Sequence, residues 1–356
     1  MKDYLILSRD EVIAKYINGK LEVVNESLLP MYLQRNGAFE IWLSMRAIDE
    51  HRPSSRFLKK ALRMVEKDDI STVLKVNAVT ITDTYWVKEI DSNLTYKDVA
   101  FDEDFYSTMN AKVSAHLALT GSGDSWSYLI KQDNFNRTPE LTNIGSFEKC
   151  WKFERGNWWM YKEGNRFERF SEMFIYNLGM ELGFNMATYV KTPTGVKTKD
   201  FTENNTYNFE PAYSYIGEEE GILENIEKLQ EIAPHAIKDY IQMVYLDAIV
   251  RNYDRHTFNY GLLRDPDTGD IVSFAPNFDN NNALISRGYA NSNPNRTNDP
   301  LIATMNKVLE IYPEYREFLP RLDANIIRRA ITKTRMKVRR KVLINFLMNA
   351  YNQLEL

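Results

Sequence analysis

The chain has 356 residues, of which 44% are hydrophobic and 13% aromatic, so it can bury a sizeable core and is not disordered as a whole. Its length predicts two domains rather than one. The 45 Lys and Arg residues are balanced by 49 Asp and Glu residues, and the resulting net charge of −4 does not indicate nucleic acid as the main partner.

The sequence contains a single cysteine, Cys150, and four scattered histidines, which excludes an internal disulfide and disfavours a structural metal site. No stretch of about 18 apolar residues is present, and the first residues lack the pattern of a signal peptide. The sequence therefore predicts a soluble, cytoplasmic protein with a reduced cysteine.

Residues 1–137 predict an accessory region without a recognisable motif. After a short start, apolar residues at helical spacing favour helices over most of residues 1–70. The β-branched residues of segment 72–87 favour strands, and the Gly- and Asn-rich segment 121–146 favours a loop.

From residue 147 the pattern becomes clearer. Aromatic-rich runs at 147–153 and 158–162 flank the turn sequence 154–157 and predict a β-hairpin. Residues 166–182 predict an amphipathic helix that ends at Gly183.

Further along the chain, residues 189–201 predict another strand pair, and a second long helix is predicted to start at Pro234. Strands at 260–263 and 271–274 follow, and residues 301–353 return to helix. From residue 147 onward, the predicted strands lie mostly in the first half and the predicted helices mostly in the second half. This arrangement predicts an α+β fold with two lobes.

The loop after the second long helix carries residues that suit phosphoryl transfer. It reads Asn252-Tyr253-Asp254-Arg255-His256-Thr257-Phe258-Asn259, and Asp279 follows after one predicted hairpin. Phosphoryl transfer needs a carboxylate that orients the attacking hydroxyl and accepts its proton, together with oxygen ligands for Mg²⁺. Asp254 and Asn259 in one tight loop can serve these two roles, and Asp279 completes the metal site.

The spacing alone is not specific. With 22 Asp and 32 Asn residues in the chain, roughly two Asp-x4-Asn pairs arise by chance, and both residue types also cap turns. The order of helix, Arg-His loop, strand, hairpin and Asp favours the catalytic interpretation. Asp247 and Arg255 are predicted to support this loop, and His256 is predicted to be a hydrogen-bonded loop residue rather than a base.

Two segments resemble the HipA-like serine/threonine kinases. The C-terminal signature of that family is similar to Asn252-x-Asp254-Arg255-His256-x-x-Asn259-Tyr260-Gly261 followed by Ala275-Pro276-x-Phe278-Asp279. Its phosphate-binding loop is similar to Thr142-Asn143-Ile144-Gly145-Ser146-Phe147-Glu148-Lys149. The resemblance covers residues 138–290. Asp279 is followed by three asparagines rather than by the Phe-Gly of eukaryotic kinases, and neither GxGxxG nor Walker A is present.

The resemblance implies a two-lobed protein-kinase-like fold with a β-rich N-lobe at 138–213, a helical C-lobe at 214–356 and an extra α/β region at 1–137. It also implies ATP and Mg²⁺ as cofactors and a protein substrate phosphorylated on Ser or Thr. A bacterial toxin–antitoxin context, with an antitoxin partner, follows from the same likeness. A lipid or small-molecule kinase and a nucleotide-binding pseudokinase are the alternatives.

The resemblance also assigns roles to single residues. Asp254 would be the catalytic base, and Asn259 with Asp279 would bind Mg²⁺. Lys162 would reach the ATP phosphates and pair with Glu172 on the following helix.

Several of these assignments have competitors. Glu168 is the substitute for Glu172, and Lys149 and Lys152 compete with Lys162. Further nucleotide contacts are expected from the phosphate loop and from a hinge that passes the adenine: Thr142, Gly145, Ser146, Lys149, Asp200 and Phe201.

The resemblance places an autophosphorylated hydroxyl in the phosphate loop. Thr142 is the first choice and Ser146 the alternative. A phosphate there adds a charge of about −1.5 to −2, which would expel the loop from the nucleotide site.

Overall fold

A computed structural model describes residues 2–218, 221–288 and 298–356. The chain forms two compact units, and it passes between them several times. The first unit comprises Met1–Glu163, Lys197–Glu210 and Leu263–Val272. The second unit comprises Gly164–Val196, Pro211–Leu262 and Ser273–Leu356. Sheets and helices occur together, which confirms the predicted α+β class.

The first unit begins with an antiparallel sheet. Its strands are β1 (Tyr4–Ser8), β2 (Glu11–Ile17), β3 (Lys20–Val23) and β4 (Tyr85–Glu89), in the order β3-β2-β1-β4. The turn between β2 and β3 is Asn18-Gly19, with φ of 50° and 78°, values that a two-residue hairpin turn requires. The expectation of helix across most of residues 1–70 is therefore wrong for residues 4–23.

Short helices make up most of the remaining N-terminal region. They are α1 (Met31–Asn36), α2 (Phe39–Ser44), α3 (Pro53–Ala61), α4 (Asp69–Leu74), α5 (Tyr96–Val99), α6 (Glu103–Ser107), α7 (Met109–Thr120) and α8 (Gly123–Leu129).

Two of these helices correct expectations from the sequence. Segment 72–87 begins in α4 rather than in a strand, because the Asp68 carboxylate caps the helix by accepting the Ser71 N–H at 2.9 Å. Segment 121–146, expected to be a loop, contains α8, which the Ser122 hydroxyl caps.

The predicted hairpin is confirmed as β5 (Lys149–Glu154) and β6 (Asn157–Glu163), joined by a turn at Arg155-Gly156. The predicted strand pair at 189–201 is confirmed as β7 (Tyr189–Lys191) and β8 (Gly195–Lys199). The next strands are β9 (Asn208–Pro211), β10 (Gly261–Arg264) and β11 (Ile271–Phe274), and the last two agree with the predicted strands at 260–263 and 271–274. In the first unit, residues 208–210, 263–264 and 271–272 lie side by side in the order β11-β10-β9.

The second unit is mainly helical. Its helices are α9 (Arg166–Leu182), α10 (Ala212–Ile216), α11 (Ile222–Ile232), α12 (Ile237–Val250), α13 (Pro300–Ile311), α14 (Ala324–Thr334) and α15 (Arg340–Tyr351). α9 has the predicted bounds because Asn165 and Glu168 form a capping box at its start and Gly183, with φ of 77°, ends it.

Helix α12 lies at the centre of this unit. Every residue from Tyr240 to Val250 is buried, and the helix packs against α13 and α15. A helix that is buried on all sides offers a rigid base for the loop that follows it. Among the residues that the structure describes, no helix combines the length and the hydropathy needed to cross a membrane.

Candidate functional site

The predicted catalytic loop begins where α12 ends, at Arg251, which has left-handed backbone geometry with φ of 54°. The Arg251 side chain is fully buried, and its Nε lies 3.1 Å from the Asp299 carboxylate. The Tyr253 hydroxyl donates to the same carboxylate, and the Arg251 guanidinium lies 4.7 Å from the centre of the Phe346 ring. These contacts fix the first residues of the loop.

Arg255 fixes the middle of the loop. Its Nε and Nη2 donate to the two carboxylate oxygens of Asp247 at 2.8 and 3.0 Å. Its Nη1 donates to the backbone carbonyls of Asn259 and Phe278 at 2.9 and 2.7 Å. One guanidinium therefore joins the loop that carries Asp254 and Asn259 to the loop that carries Asp279. This confirms the prediction that Asp247 and Arg255 support the loop that carries Asp254 and Asn259.

Asparagine side chains complete this network. Arg255 Nη2 donates to Asn277 Oδ1 at 3.1 Å and to Asn280 Oδ1 at 2.8 Å, and Asn252 Nδ2 donates to Asp247 Oδ1 at 3.1 Å. Burial lowers the pKa of Arg255, whereas the nearby Asp247 carboxylate raises it. The net result is a pKa of Arg255 above its ordinary value. The guanidinium is therefore charged at every physiological pH.

The Asp254 carboxylate is oriented but accessible. Asn282 Nδ2 donates to its Oδ2 at 2.7 Å, and Arg287 Nη2 lies 3.3 Å from its Oδ1. Arg287 is itself held by the Asn282 carbonyl, to which its Nε donates at 2.6 Å. The Asp254 side chain remains 35% exposed, so a group from solution can reach its carboxylate.

Asp279 lies in the left-handed region with φ of 58°, and its backbone N–H donates to the Tyr189 hydroxyl at 2.9 Å. The next N–H, of Asn280, donates to Glu172 Oε2 at 3.0 Å. Burial, together with the Glu172 and Asp279 carboxylates, raises the pKa of Tyr189 well above its ordinary value. Tyr189 therefore stays protonated and also hydrogen-bonds to Glu172.

The structure thus places Glu172, which is 1% exposed, in contact with the loop that carries Asp279. The competing Glu168 accepts the Asn165 N–H at 2.8 Å in the cap of α9. Lys162 belongs to the first unit and Glu172 to the second, and their pairing stays a prediction.

The donor set in this part of the site suits Mg²⁺. Asn259 Nδ2 donates to the Asp254 carbonyl at 3.1 Å, which makes the amide oxygen the atom that a cation can use. With the Asp279 carboxylate, the candidate ligands are all oxygens, as Mg²⁺ prefers.

The predicted phosphate loop lies in the first unit. Thr142 is buried, and its hydroxyl donates to the Val79 carbonyl at 2.6 Å, whereas Ser146 is exposed. Gly145 has φ of 106°, and a Cβ at this position would collide with Lys149 Nζ. The left-handed backbone conformation therefore favours glycine here, whereas the lysine amine ends a flexible side chain that could move aside.

Helix α3 and the residue before it hold this loop. Arg52 Nη2 donates to the carbonyls of Asn143 and Gly145 at 2.6 and 2.7 Å. The Ser54 N–H and hydroxyl donate to the Glu148 carboxylate at 3.1 and 2.7 Å. A carboxylate at a helix N-terminus is stabilised by about 0.3–1 kcal/mol through the helix dipole.

Glu140 anchors the start of the loop from within the core. Its carboxylate accepts the Trp151 N–H and the Asn143 amide, both at 2.9 Å. Burial raises the pKa of Glu140 to about 7, against the lowering effect of these hydrogen bonds and of Arg52 and Lys152.

The pairing register of the hairpin shows which candidate lysines share a face of the sheet. Lys149 and Lys162 are directly opposite each other on β5 and β6, so their side chains share one face. Lys152 is opposite Trp159 and lies on the other face, where its Nζ is 4.3 Å from the centre of the Tyr161 ring. The structure therefore groups Lys162 with Lys149 and separates Lys152 from both.

The predicted hinge residues form a turn in the first unit. The Asp200 carboxylate accepts the N–H groups of Thr202 and Asn204 at 3.0 and 2.9 Å, and the Asp200 N–H donates to the Trp158 carbonyl at 3.0 Å. Phe201 packs edge-to-face on Phe209. A role for Asp200 and Phe201 at the adenine stays a prediction.

Three residues of this site carry no signal that led to their prediction from the sequence. Tyr189, Asn282 and Arg287 contact Asp279 or Asp254 across separations of 28 to 90 residues. No motif marks Tyr189. The run of asparagines after Asp279 is the one signal that could have found Asn282.

Replacing Asp247 by Ala is expected to lower the free energy of unfolding by about 3–5 kcal/mol, because Arg255 would stay buried without its carboxylate. Chemical denaturation measures this loss. The matched control is Glu231→Ala, which breaks an exposed ion pair with Lys228 at 2.9 Å and should cost less than about 1 kcal/mol. Equal losses in the two variants would contradict the role given to Asp247.

Glu140 should make stability depend on pH. Its pKa is about 7 in the folded protein against 4.5 ordinarily, so between these values the folded protein binds more protons than the unfolded chain. The free energy of unfolding should therefore fall by about 2–3 kcal/mol as the pH rises from 4.5 to 7, and it should change little above pH 7. Urea denaturation across pH 4.5–8 checks this. Glu140→Gln should flatten the profile, and an unchanged slope in that variant would assign the effect to other groups.

No protein-family model and no curated protein sequence matches the chain. Solved structures do match. A chain from the Shewanella oneidensis MR-1 complex of HipA, HipB and operator DNA matches with a TM-score of 0.53 and 11% identity, over 99% of this chain and 99% of that one. The Helicobacter pylori proinflammatory kinase CtkA matches over 58% of this chain and 90% of that one, with a TM-score of 0.45 and 20% identity. The full-length match with the HipA complex shows that this chain has a HipA-like kinase fold.

Proposed function

We propose that this protein is a Mg²⁺- and ATP-dependent serine/threonine protein kinase. The observation that carries the proposal is the pair of hydrogen bonds from Arg255 Nη1 to the carbonyls of Asn259 and Phe278. They hold the loop of the candidate base against the loop of Asp279, as phosphoryl transfer requires. The HipA-like fold supports the same conclusion.

In this proposal Asp254 orients a Ser or Thr hydroxyl and accepts its proton as the hydroxyl oxygen attacks the γ-phosphorus of ATP. The bond from that phosphorus to the β,γ-bridging oxygen breaks, and ADP leaves with the bond's electron pair. Asn282 and Arg287 hold the Asp254 carboxylate in position for this step. Asn259 and Asp279 would hold Mg²⁺, which balances the charge on the phosphate oxygens when it is bound.

Residues of the first unit would bind the nucleotide. Lys162 contacts the phosphates, and the loop from Thr142 to Lys149 covers them with its backbone N–H groups. We assign residues 138–213 to the nucleotide-binding lobe and 214–356 to the catalytic lobe. Of the two candidate acceptors for autophosphorylation, the exposed Ser146 is open to solvent, whereas Thr142 must first leave its buried position.

We also propose a protein partner of the antitoxin class, supported by the Shewanella oneidensis structure, in which HipA is found with HipB and operator DNA. Co-purification from the native host with a tagged copy of this chain tests that partnership. Recovery of the chain alone, at a yield that would reveal a stoichiometric partner, would contradict it.

Asp254→Asn is expected to lower the rate of phosphoryl transfer by about 100- to 10,000-fold, because the amide cannot accept the proton of the hydroxyl. Radiolabelled ATP with Mg²⁺ measures the rate, and phosphoamino-acid analysis identifies Ser or Thr. His256→Ala in the same loop is the control and should lose less than about tenfold. A folded Asp254→Asn variant with wild-type turnover would disprove the assignment of the base.

Lys162→Met should raise the KM for ATP and lower kcat, because the charge opposite the phosphates is lost. Together the two changes should lower kcat/KM by at least about 100-fold. Lys152→Met, on the other face of the hairpin, should have a much smaller effect. The same steady-state assay of Lys149→Met decides which lysine of the opposed pair binds the phosphates. A larger loss in Lys149→Met than in Lys162→Met would reverse the assignment.

A further inference from the structure

The N-terminal region, which shows no recognisable motif, contacts the approach to the phosphate loop at several points. The Ile48 N–H donates to the Leu141 carbonyl at 2.8 Å, and the Ser114 and Thr138 hydroxyls are 3.1 Å apart. The Thr142 hydroxyl donates to the Val79 carbonyl. The short stretch before the loop is thus attached to elements far from it in sequence.

The loop itself is attached differently. Ile144 and Phe147 are 41% and 39% exposed, so burial of their side chains contributes little to holding it. Directional contacts hold it instead: Glu140 bonds to the Asn143 amide, the Glu163 N–H donates to the Glu148 carbonyl, and Arg52 and Ser54 supply further ones. Arg52 is 1% exposed and donates three hydrogen bonds to the carbonyls of Asn143 and Gly145.

We propose that Arg52 and Ser54 are positioning residues that hold the loop at 143–148 in the conformation that binds the phosphates of ATP. The proposal rests on the proposed function. It also gives residues 1–137 a role, since they build the scaffold from which Arg52 and Ser54 reach the loop.

The physical reason is the cost of ordering an exposed loop. A loop that samples many conformations must be ordered when a nucleotide binds, and this cost weakens the affinity. The guanidinium of Arg52 donates to the carbonyls of Asn143 and Gly145, and Ser54 bonds to Glu148 at the other end of the loop. The loop is therefore held at both ends before ATP arrives.

The test compares Arg52→Met with Arg46→Met in the full chain. Arg46 is also a buried arginine of the first unit, but it bonds to the Ala78 carbonyl and the Asp83 carboxylate rather than to residues 143–148. Hydrogen exchange of the amides of residues 144–147 reports the order of the loop without nucleotide. Arg52→Met should accelerate this exchange and raise the KM for Mg²⁺-ATP, each by about tenfold, with kcat within about twofold. Arg46→Met should change neither.

If Arg52→Met fails to fold, the comparison of Ser54→Ala with Ser55→Ala replaces it, because these substitutions remove only a hydroxyl group. Both serines are buried and adjacent, and Ser54 is the one that bonds to Glu148. Faster exchange in Ser54→Ala than in Ser55→Ala supports the proposal. Equal exchange within both pairs would overturn it. A wild-type protein that transfers no phosphate would remove the proposed function, and the exchange comparison would still decide whether Arg52 and Ser54 hold the loop.

Discussion

The candidate catalytic centre depends on one buried charge, the guanidinium of Arg255. Burying such a charge costs several kcal/mol unless a carboxylate and further acceptors surround it. Asp247 supplies the carboxylate, and the carbonyls of Asn259 and Phe278 accept from Nη1. Because the guanidinium is planar and its donors point in fixed directions, the two loops that supply these carbonyls cannot shift independently. The need to satisfy the charge therefore sets the geometry of the site.

A buried arginine also holds a loop in the first unit, although burial lowers the pKa of Arg52 whereas Asp247 helps to raise that of Arg255. Backbone carbonyls in a loop lack the partners that helices and sheets provide, and buried carbonyls must still be paired. Arg52 supplies donors to Asn143 and Gly145, as Arg255 does to Asn259 and Phe278. In both units a buried arginine thus replaces regular secondary structure, and it does so at the loops where function is proposed.

Local signals explain what the sequence predicted correctly. Helix α9 has a cap at Asn165 and a left-handed glycine at its end, so its bounds follow from neighbouring residues. The same kind of signal, Asn18-Gly19, marks the first hairpin, but helix was expected there because of the helical spacing of apolar residues further along, between 42 and 65. For segment 72–87 the cap at Asp68 overrode β-branched residues. The contacts of Tyr189 and Arg287 join residues distant in sequence, so no local pattern could have revealed them.

The asparagines after Asp279 show why this loop departs from the Phe-Gly pattern without losing order. Asn280 is fully buried, and each of its polar groups is used: its Oδ1 accepts from Arg255, its Nδ2 donates to Asn277 and its backbone N–H donates to Glu172. A buried polar side chain that is satisfied in this way specifies one conformation, because any shift leaves a donor or acceptor unpaired. Directional hydrogen bonds thus do here what apolar packing of a phenylalanine would do, and they can hold Asp279 in its left-handed geometry.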